Sequence, residues 1–144
     1  GMVQKYLNKI SGPLLDRIDL HVEVTPVNFD ELTKKEKGES SQQIRDRVIK
    51  ARDIQENRFV ENEKIHANSQ MNTKQNQSHC KLNPQSQELL KTAMEKLDLS
   101  ARAYDRILKV SRTIADLDNA ENISSAHIAE AIQYRSLDRE GWAG

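Results

Sequence analysis

The sequence is poor in the residues that build a disulfide scaffold or a large apolar core. Its 144 residues include a single cysteine, Cys80, so no internal disulfide can form, and a reducing compartment such as the cytoplasm is expected. Aromatic residues make up 4% of the chain and apolar residues 36%. This composition argues against a thick β-sandwich and favours a small helical core with wide polar surfaces.

The sequence also lacks an excess charge of either sign and a long apolar run. Its 22 Lys and Arg residues balance 22 Asp and Glu residues, so no overall field attracts nucleic acid or an anionic membrane. No apolar run approaches the roughly 20 residues that span a bilayer. We therefore expect no membrane partner, and any binding of nucleic acid must come from a local patch or from the rest of a longer protein.

Phosphate-loop and metal-site patterns are missing as well. The pattern GxxxxGK[ST] does not occur, so the chain has no nucleotide cradle of its own and we expect no ATP turnover by the chain alone. Its four histidines are scattered, and Cys80 directly follows His79, a spacing at which two side chains do not converge on one ion. Cys80 also lacks an identifiable base that would make it a nucleophile.

Helix signals dominate residues 40–137, for which we predict a bundle of about four helices. Ser40 precedes Gln43 at the spacing of a capping box, and Asn83-Pro84, Ser100 and Ser124 are further start signals. Residues 60–82 are polar and predict a loop with one short helix, and 138–144 predict a frayed tail. Residues predicted to face inward are Ile44, Val48, Ala51, Gln55, Leu90, Ala93, Met94, Leu97, Tyr104, Ile107, Leu108, Ile114, Leu117, Ile128, Ala131 and Ile132.

For residues 1–27 we predict an irregular arm, which a polar linker at 28–39 joins to the bundle. The arm contains a turn and short helix at 12–18 and an alternating strand at 20–24. A single strand leaves its backbone groups without partners, so we expect the partner strands to precede this sequence. In the chain alone we expect the arm to detach, swap or dimerise. The overall fold class is all-α.

Arg17 is the first candidate site residue. It stands between two carboxylates, Asp16 and Asp19, and between apolar anchors at the entrance to the predicted strand. A guanidinium held there could present a permanent charge to a neighbour's phosphate. The alternative is a local ion pair with Asp16 or Asp19, which residue spacing alone favours.

A second candidate is the basic stripe formed by Arg102, Arg106, Lys109 and Arg112. The first three share one helical face at spacing i, i+4, i+7, and Arg112 continues it. Arg102 lies in the first helical turn, where the helix dipole favours anions over cations. The stripe is either a solvated basic face, which the pattern alone favours, or a surface that contacts nucleic acid.

Three blocks resemble the magnesium-chelatase-related AAA+ ATPase family, in its competence-protein (ComM-like) group. Residues 6–22, YLNKISGPLLDRIDLHV, resemble the end of that family's ATPase core. The segments ESS at 39–41, ARDIQ at 51–55 and LSARAYDRILKVSRTIADL at 99–117 resemble its C-terminal lid in the same order, and YRSLD at 134–138 resembles its closing segment. The loop at 60–82 matches least.

The resemblance implies a role for each candidate arginine. Arg17 corresponds to the arginine finger, which acts on ATP bound by the adjacent subunit of a ring, expected to be a homo-hexamer. Arg102 corresponds to the sensor-2 arginine, which acts on nucleotide of its own subunit, and Arg112 would support nucleotide binding. The full-length protein would use ATP and Mg²⁺, contact its own ATPase core and act on DNA as a branch-migration helicase in natural transformation. The alternative is an independent helical module that binds nucleic acid or protein.

Overall fold

The computed structural model describes residues 14, 17–22, 24, 26 and 38–135. Within these residues it contains five α-helices and one short 3₁₀ helix. In chain order they are α1 (Ser41–Arg58), the 3₁₀ helix Asn68–Gln70, α2 (Thr73–His79), α3 (Pro84–Lys96), α4 (Ala101–Leu117) and α5 (Ser125–Gln133). The predicted all-α class is confirmed, and α2 lies in the segment predicted to hold one short helix.

The helices begin where local capping residues predict that they should. The Ser40 side chain accepts a hydrogen bond from the backbone N–H of Gln43, and the Gln43 side-chain oxygen accepts one from the backbone N–H of Ser40. The side chains of Asn83, Ser100 and Ser124 each accept a hydrogen bond from the backbone N–H three residues later and so cap α3, α4 and α5. Each cap satisfies a backbone N–H that has no partner within its helix.

Helix α4 is the centre of the bundle. It packs against α1, α2, α5 and the 3₁₀ helix, and α5 packs in turn against α3. The side chains that meet there form one buried cluster: Phe59, Met71, Cys80, Leu90, Ile107, Leu108, Ile114, Ala115, Ile123, Ile128, Ala131 and Ile132. Burial of this apolar surface is the main stabilising contribution to the fold.

Most residues predicted to face the core are buried, but some of those towards the helix ends are exposed. Ala51 and Gln55 of α1 are buried, but Ile44 and Val48, which lie nearer the start of the helix, are each 43% exposed. On α4, Tyr104 is 41% exposed and Leu117 is 37% exposed, contrary to prediction. Helical periodicity identifies the face, whereas the length of the contact depends on the neighbouring helices.

The described part of the arm differs from the prediction. Leu20, His21, Val22 and Val24 do not form a strand, and within the described ranges the only bridge pairs Leu82 with Ile123. A strand needs a partner for its backbone groups. Instead, the backbone N–H of His21 donates to the carbonyl of Tyr134 at 2.8 Å.

Several predicted features lie outside the described residues. These are most of the arm, nearly all of the linker at 28–39 and the tail at 138–144. None of the helices in the described ranges combines the length and the hydrophobicity that would let it cross a bilayer.

Candidate functional site

The N-terminal turn of α4 holds the most available of the predicted site residues. The Ser100 side chain accepts a hydrogen bond from the backbone N–H of Ala103 at 3.2 Å and fixes the start of the helix. Arg102 is the second helical residue, and its side chain is exposed. Among the described residues, no hydrogen bond or ion pair engages its guanidinium. This group therefore keeps all its donors for an anion that comes from elsewhere.

The other three cations of the basic stripe are engaged by the protein. Arg106 forms an ion pair with Asp19 of the arm. The Nζ atom of Lys109 donates to the backbone carbonyl of Ser69 at 3.1 Å. Arg112 is buried, with only 4% of its surface exposed. The stripe is thus not a continuous basic face.

Arg112 binds three oxygen atoms of its own chain. Its Nε donates to a carboxylate oxygen of Asp116 at 3.1 Å, and its Nη1 and Nη2 donate to the carbonyls of Glu121 at 2.8 Å and Ala120 at 2.6 Å. These carbonyls follow the end of α4, where backbone acceptors have no partner within the helix. The nucleotide contact expected for Arg112 would require these bonds to break, so the geometry favours a structural role.

Asp116 is the centre of a buried polar network. Its side chain is fully buried and accepts hydrogen bonds from two nitrogens of Arg58 at 2.5 and 2.7 Å, from Asn68 at 2.7 Å and from Arg112. A buried carboxylate is stable only when it is paired and hydrogen-bonded. The sequence alone does not predict this network, although Arg112 and Asp116 stand at the i, i+4 spacing of a helical ion pair.

A cavity of about 510 Å³ borders this network. Ionisable residues contribute half of its lining: Arg58, His79, Lys81, Arg112 and the acidic Glu121. Burial lowers the pKa of His79, and the positive charges of Arg58 and Arg112 lower it further. His79 therefore stays neutral near neutral pH.

Cys80 is an inert core residue. Only 4% of it is exposed, and burial raises the pKa of its thiol to about 11. The thiol is therefore protonated at neutral pH and is a poor nucleophile. Within the described residues, no group of three or more His, Cys, Asp or Glu side chains could hold a metal ion.

Arg17 lies on an exposed turn of the arm. Its backbone N–H donates to the carbonyl of Leu14 at 3.0 Å, and its side chain is exposed. The alternative ion pair with Asp19 does not form, because Asp19 binds Arg106 instead. Asp16 lies outside the described residues.

The arm is held against the helical domain from residue 18 to residue 21. Arg135, which is 99% buried, donates from Nη1 to the backbone carbonyl of Ile18. The Asp19–Arg106 ion pair and the hydrogen bond from His21 to Tyr134 lie on either side of Leu20. Residues 18–21 are therefore docked onto the bundle, and the expectation that the arm as a whole detaches, swaps or dimerises stays a prediction.

Two family models match the sequence. Residues 38–135 match the model described as magnesium chelatase, subunit ChlI C-terminal, and residues 1–32 match the model described as magnesium chelatase, subunit ChlI. The first match covers all five helices of the described bundle, and the second includes Arg17.

Curated relatives match nearly the whole chain. Competence protein ComM of Haemophilus influenzae is 44% identical over 138 residues, which is 95% of this chain and 26% of ComM. The proteins named YifB from Salmonella typhimurium and Escherichia coli are 40% and 39% identical over 136 residues, or 94% of this chain and 26% of each relative. The chain thus spans about a quarter of the length of these relatives.

Proposed function

The chain belongs to the magnesium chelatase ChlI C-terminal family, and from this membership we propose that it acts as the arginine-supplying lid region of a ring-forming AAA+ ATPase. Arg102 contacts the phosphates of ATP bound to its own subunit. Arg17 reaches ATP bound to the neighbouring subunit. The main nucleotide pocket lies in a core domain of a longer protein, in accord with the share of each relative that this chain covers.

The observation that carries the proposal is the availability of Arg102. Of the four cations on α4, it alone is without an acceptor among the described residues, and it stands in the first turn of the helix. A cation at this end of a helix opposes the macrodipole and costs a few tenths of a kcal/mol or more. A bound phosphate would offset that cost and use the same helix N-terminus.

Phosphoryl transfer suits residues of this kind. The reaction needs little covalent help from the protein and depends on positioned cations that stabilise charge on the transferred phosphoryl group. An arginine finger contributes on the order of 10³ to 10⁵ in rate. Arg17, which is exposed and has no described ion-pair partner, is free to take this role.

ATP and Mg²⁺ fit the described residues to different extents. The free guanidinium of Arg102 fits a phosphate group. The described residues offer no cluster of acidic side chains for Mg²⁺, so the core domain would hold the ion.

The longer protein is proposed to remodel DNA by branch migration during natural transformation, as a homo-hexameric ring. Support comes from the resemblance to the ComM-like group and from the 44% identity to a protein named for competence. None of the described side chains carries a pattern that reads DNA bases, so the DNA contacts are assigned to other parts of the ring.

The test uses the longer protein with its core domain. Arg17→Ala should lower kcat for ATP by about 10³-fold or more with ring assembly intact by light scattering, because the finger acts only in the transition state. Arg102→Ala should weaken nucleotide-dependent activity with the fold unchanged by circular dichroism. Arg45→Ala is the matched control, because Arg45 is also exposed and has no described acceptor. Wild-type rates in Arg17→Ala would exclude the finger.

Mixed rings separate the action of Arg17 in trans from that of Arg102 in cis. Subunits with a defective phosphate loop still carry Arg17, so mixing them with Arg17→Ala subunits should restore part of the ATPase rate. The same mixing should not rescue Arg102→Ala, because the sensor and the loop serve one ATP molecule. Rescue of both variants, or of neither, would contradict the assignment.

A further inference from the structure

The arm segment that carries Arg17 is attached to the helix that carries Arg102. Asp19, two residues after Arg17, forms an ion pair with Arg106 of α4. Arg106 in turn stands four residues after Arg102, one helical turn along the same face. The Asp19–Arg106 ion pair and one turn of α4 therefore link the arm segment of Arg17 to Arg102.

Two more contacts hold the same segment to the bundle. The buried Arg135 donates to the carbonyl of Ile18. The N–H of the buried His21 donates to the carbonyl of Tyr134 at 2.8 Å. Both contacts engage the backbone of the arm, so neither is made by one of its side chains. Asp19–Arg106 is the contact that joins the arm to α4 itself.

We propose that Asp19 and Arg106 form a latch that couples the position of Arg17 to α4, so that phosphate binding at Arg102 of one subunit sets how Arg17 is presented to the next. This inference rests on the proposed function of the two arginines. Asp19 and Arg106 are positioning residues, because neither touches the reacting atoms. Through the latch, nucleotide state passes from a subunit's own site to its neighbour's.

The latch is suited to switching because it is weak. The Arg106 side chain is 27% exposed and that of Asp19 is 52% exposed. Ion pairs at such exposure shift an equilibrium by about fivefold or less. A contact of this strength biases the arm without locking it, so a small displacement of α4 is enough to release it.

Amide exchange in the chain itself tests whether the latch holds the arm. The reporter is the backbone N–H of His21, measured by NMR, because its acceptor lies on the bundle. Asp19→Asn should speed its exchange by about two- to fivefold. The control is Glu39→Gln, which breaks the Arg47–Glu39 pair of similar exposure on α1, and it should leave His21 unchanged. An unchanged His21 rate in Asp19→Asn would overturn the latch.

Exchanging the two charges tests whether the Asp19–Arg106 pair itself slows the amide exchange of His21. Asp19→Lys alone should speed His21 exchange, because it places two cations together. Adding Arg106→Glu should return the rate towards that of the wild type, since the pair is restored with its charges reversed. Failure of the second change to reverse the first would also count against the latch.

ATPase kinetics of the longer protein test the coupling. Asp19→Asn should lower kcat by about two- to fivefold with KM for ATP unchanged, and the Asp19→Lys/Arg106→Glu pair should restore kcat. Faster His21 exchange with unchanged kcat would mean that the arm is docked but not coupled, which overturns the inference. Wild-type activity of Arg17→Ala would instead remove the proposed function on which the inference rests, whatever the exchange data show.

Discussion

Arg58, the last residue of α1, donates two hydrogen bonds to the carboxylate of Asp116 on α4, 58 positions later in the chain. Asn68 and Arg112 complete the set of donors, so that four bonds reach the two oxygens of one fully buried group. The network joins α1, the 3₁₀ helix and the end of α4. Both guanidinium groups line the cavity next to it. Burial lowers the pKa of His79, and the positive charges of Arg58 and Arg112 lower it further.

Removal of the Asp116 carboxylate should be among the most damaging single changes to the described bundle. Asp116→Ala would leave Arg58 and Arg112 close together and without their shared counter-charge. The loss of one partner of a buried ion pair costs about 3–5 kcal/mol. Urea denaturation of the chain should show this decrease in the free energy of unfolding.

Glu39→Ala supplies the control for that measurement. It removes a carboxylate whose side chain is 41% exposed and whose partner, Arg47, is also exposed. Such a pair contributes less than about 1 kcal/mol. Equal losses in the Asp116 and Glu39 variants would mean that the buried network does not hold the helices together.

Arg112→Lys should separate the structural role of Arg112 from the nucleotide contact that the resemblance implied. Lysine keeps the charge but cannot reach Asp116 and the carbonyls of Ala120 and Glu121 together. We expect a loss of about 2 kcal/mol in the chain without any nucleotide, since three hydrogen bonds of a buried guanidinium are disrupted. Arg45→Lys, a change at an exposed arginine, should cost almost nothing. Unchanged stability in Arg112→Lys would restore the nucleotide contact as the better explanation.

The parts of the fold that were predictable from sequence are those decided within one helical turn. The Ser40–Gln43 capping box and the caps at Asn83, Ser100 and Ser124 each depend on residues three apart. The helix starts and the all-α class could therefore be predicted from the chain alone. The resemblance located Arg17 and Arg102, and the structure leaves both exposed.

The burial of Arg112 could not be predicted in the same way. It depends on Arg58 and Asn68, which are distant in sequence, and on two carbonyls that a turn after α4 brings into reach. The turn itself uses Asn119 at φ 54°, a left-handed conformation that asparagine tolerates. Helical periodicity placed Arg112 on the same stripe as Arg106 and gave no sign that one is buried and the other is not.

The structure also changes the salt dependence of DNA binding that is expected under the alternative function, a nucleic-acid-binding module. If all four cations of the basic stripe contacted phosphates, a plot of the logarithm of the binding constant for duplex DNA against the logarithm of the salt concentration would have a slope of about −3.6. Because Arg112 is buried and Arg106 is paired with Asp19, two cations remain, and we expect a slope no steeper than about −1.8. Fluorescence anisotropy with a short duplex between 50 and 200 mM salt would measure it.

Variants identify which cations account for any binding that is observed. Arg102→Ala and Lys109→Ala should each make the salt dependence shallower by about one contact. Arg106→Ala should change it little, because its charge is already balanced by Asp19. A wild-type slope near −3.6 that becomes shallower in each of the three variants would instead support a continuous basic face.

The thiol of Cys80 should make the stability of the bundle depend on alkaline pH. Burial raises its pKa from 9.0 to about 11, and the nearby Arg112 and Arg58 only partly oppose this. Between these two pKa values the unfolded chain has lost the proton and the folded chain retains it. The free energy of unfolding should therefore fall by about 2 kcal/mol as pH rises from 9 to 11. The measurement is the difference in the free energy of unfolding between the wild type and Cys80→Ala, by urea denaturation at each pH. Cys80→Ala loses some packing and is less stable at every pH, but its free energy of unfolding should lack the part of the decrease above pH 9 that comes from the thiol. Parallel curves would show that the thiol is not protonated more tightly in the folded state.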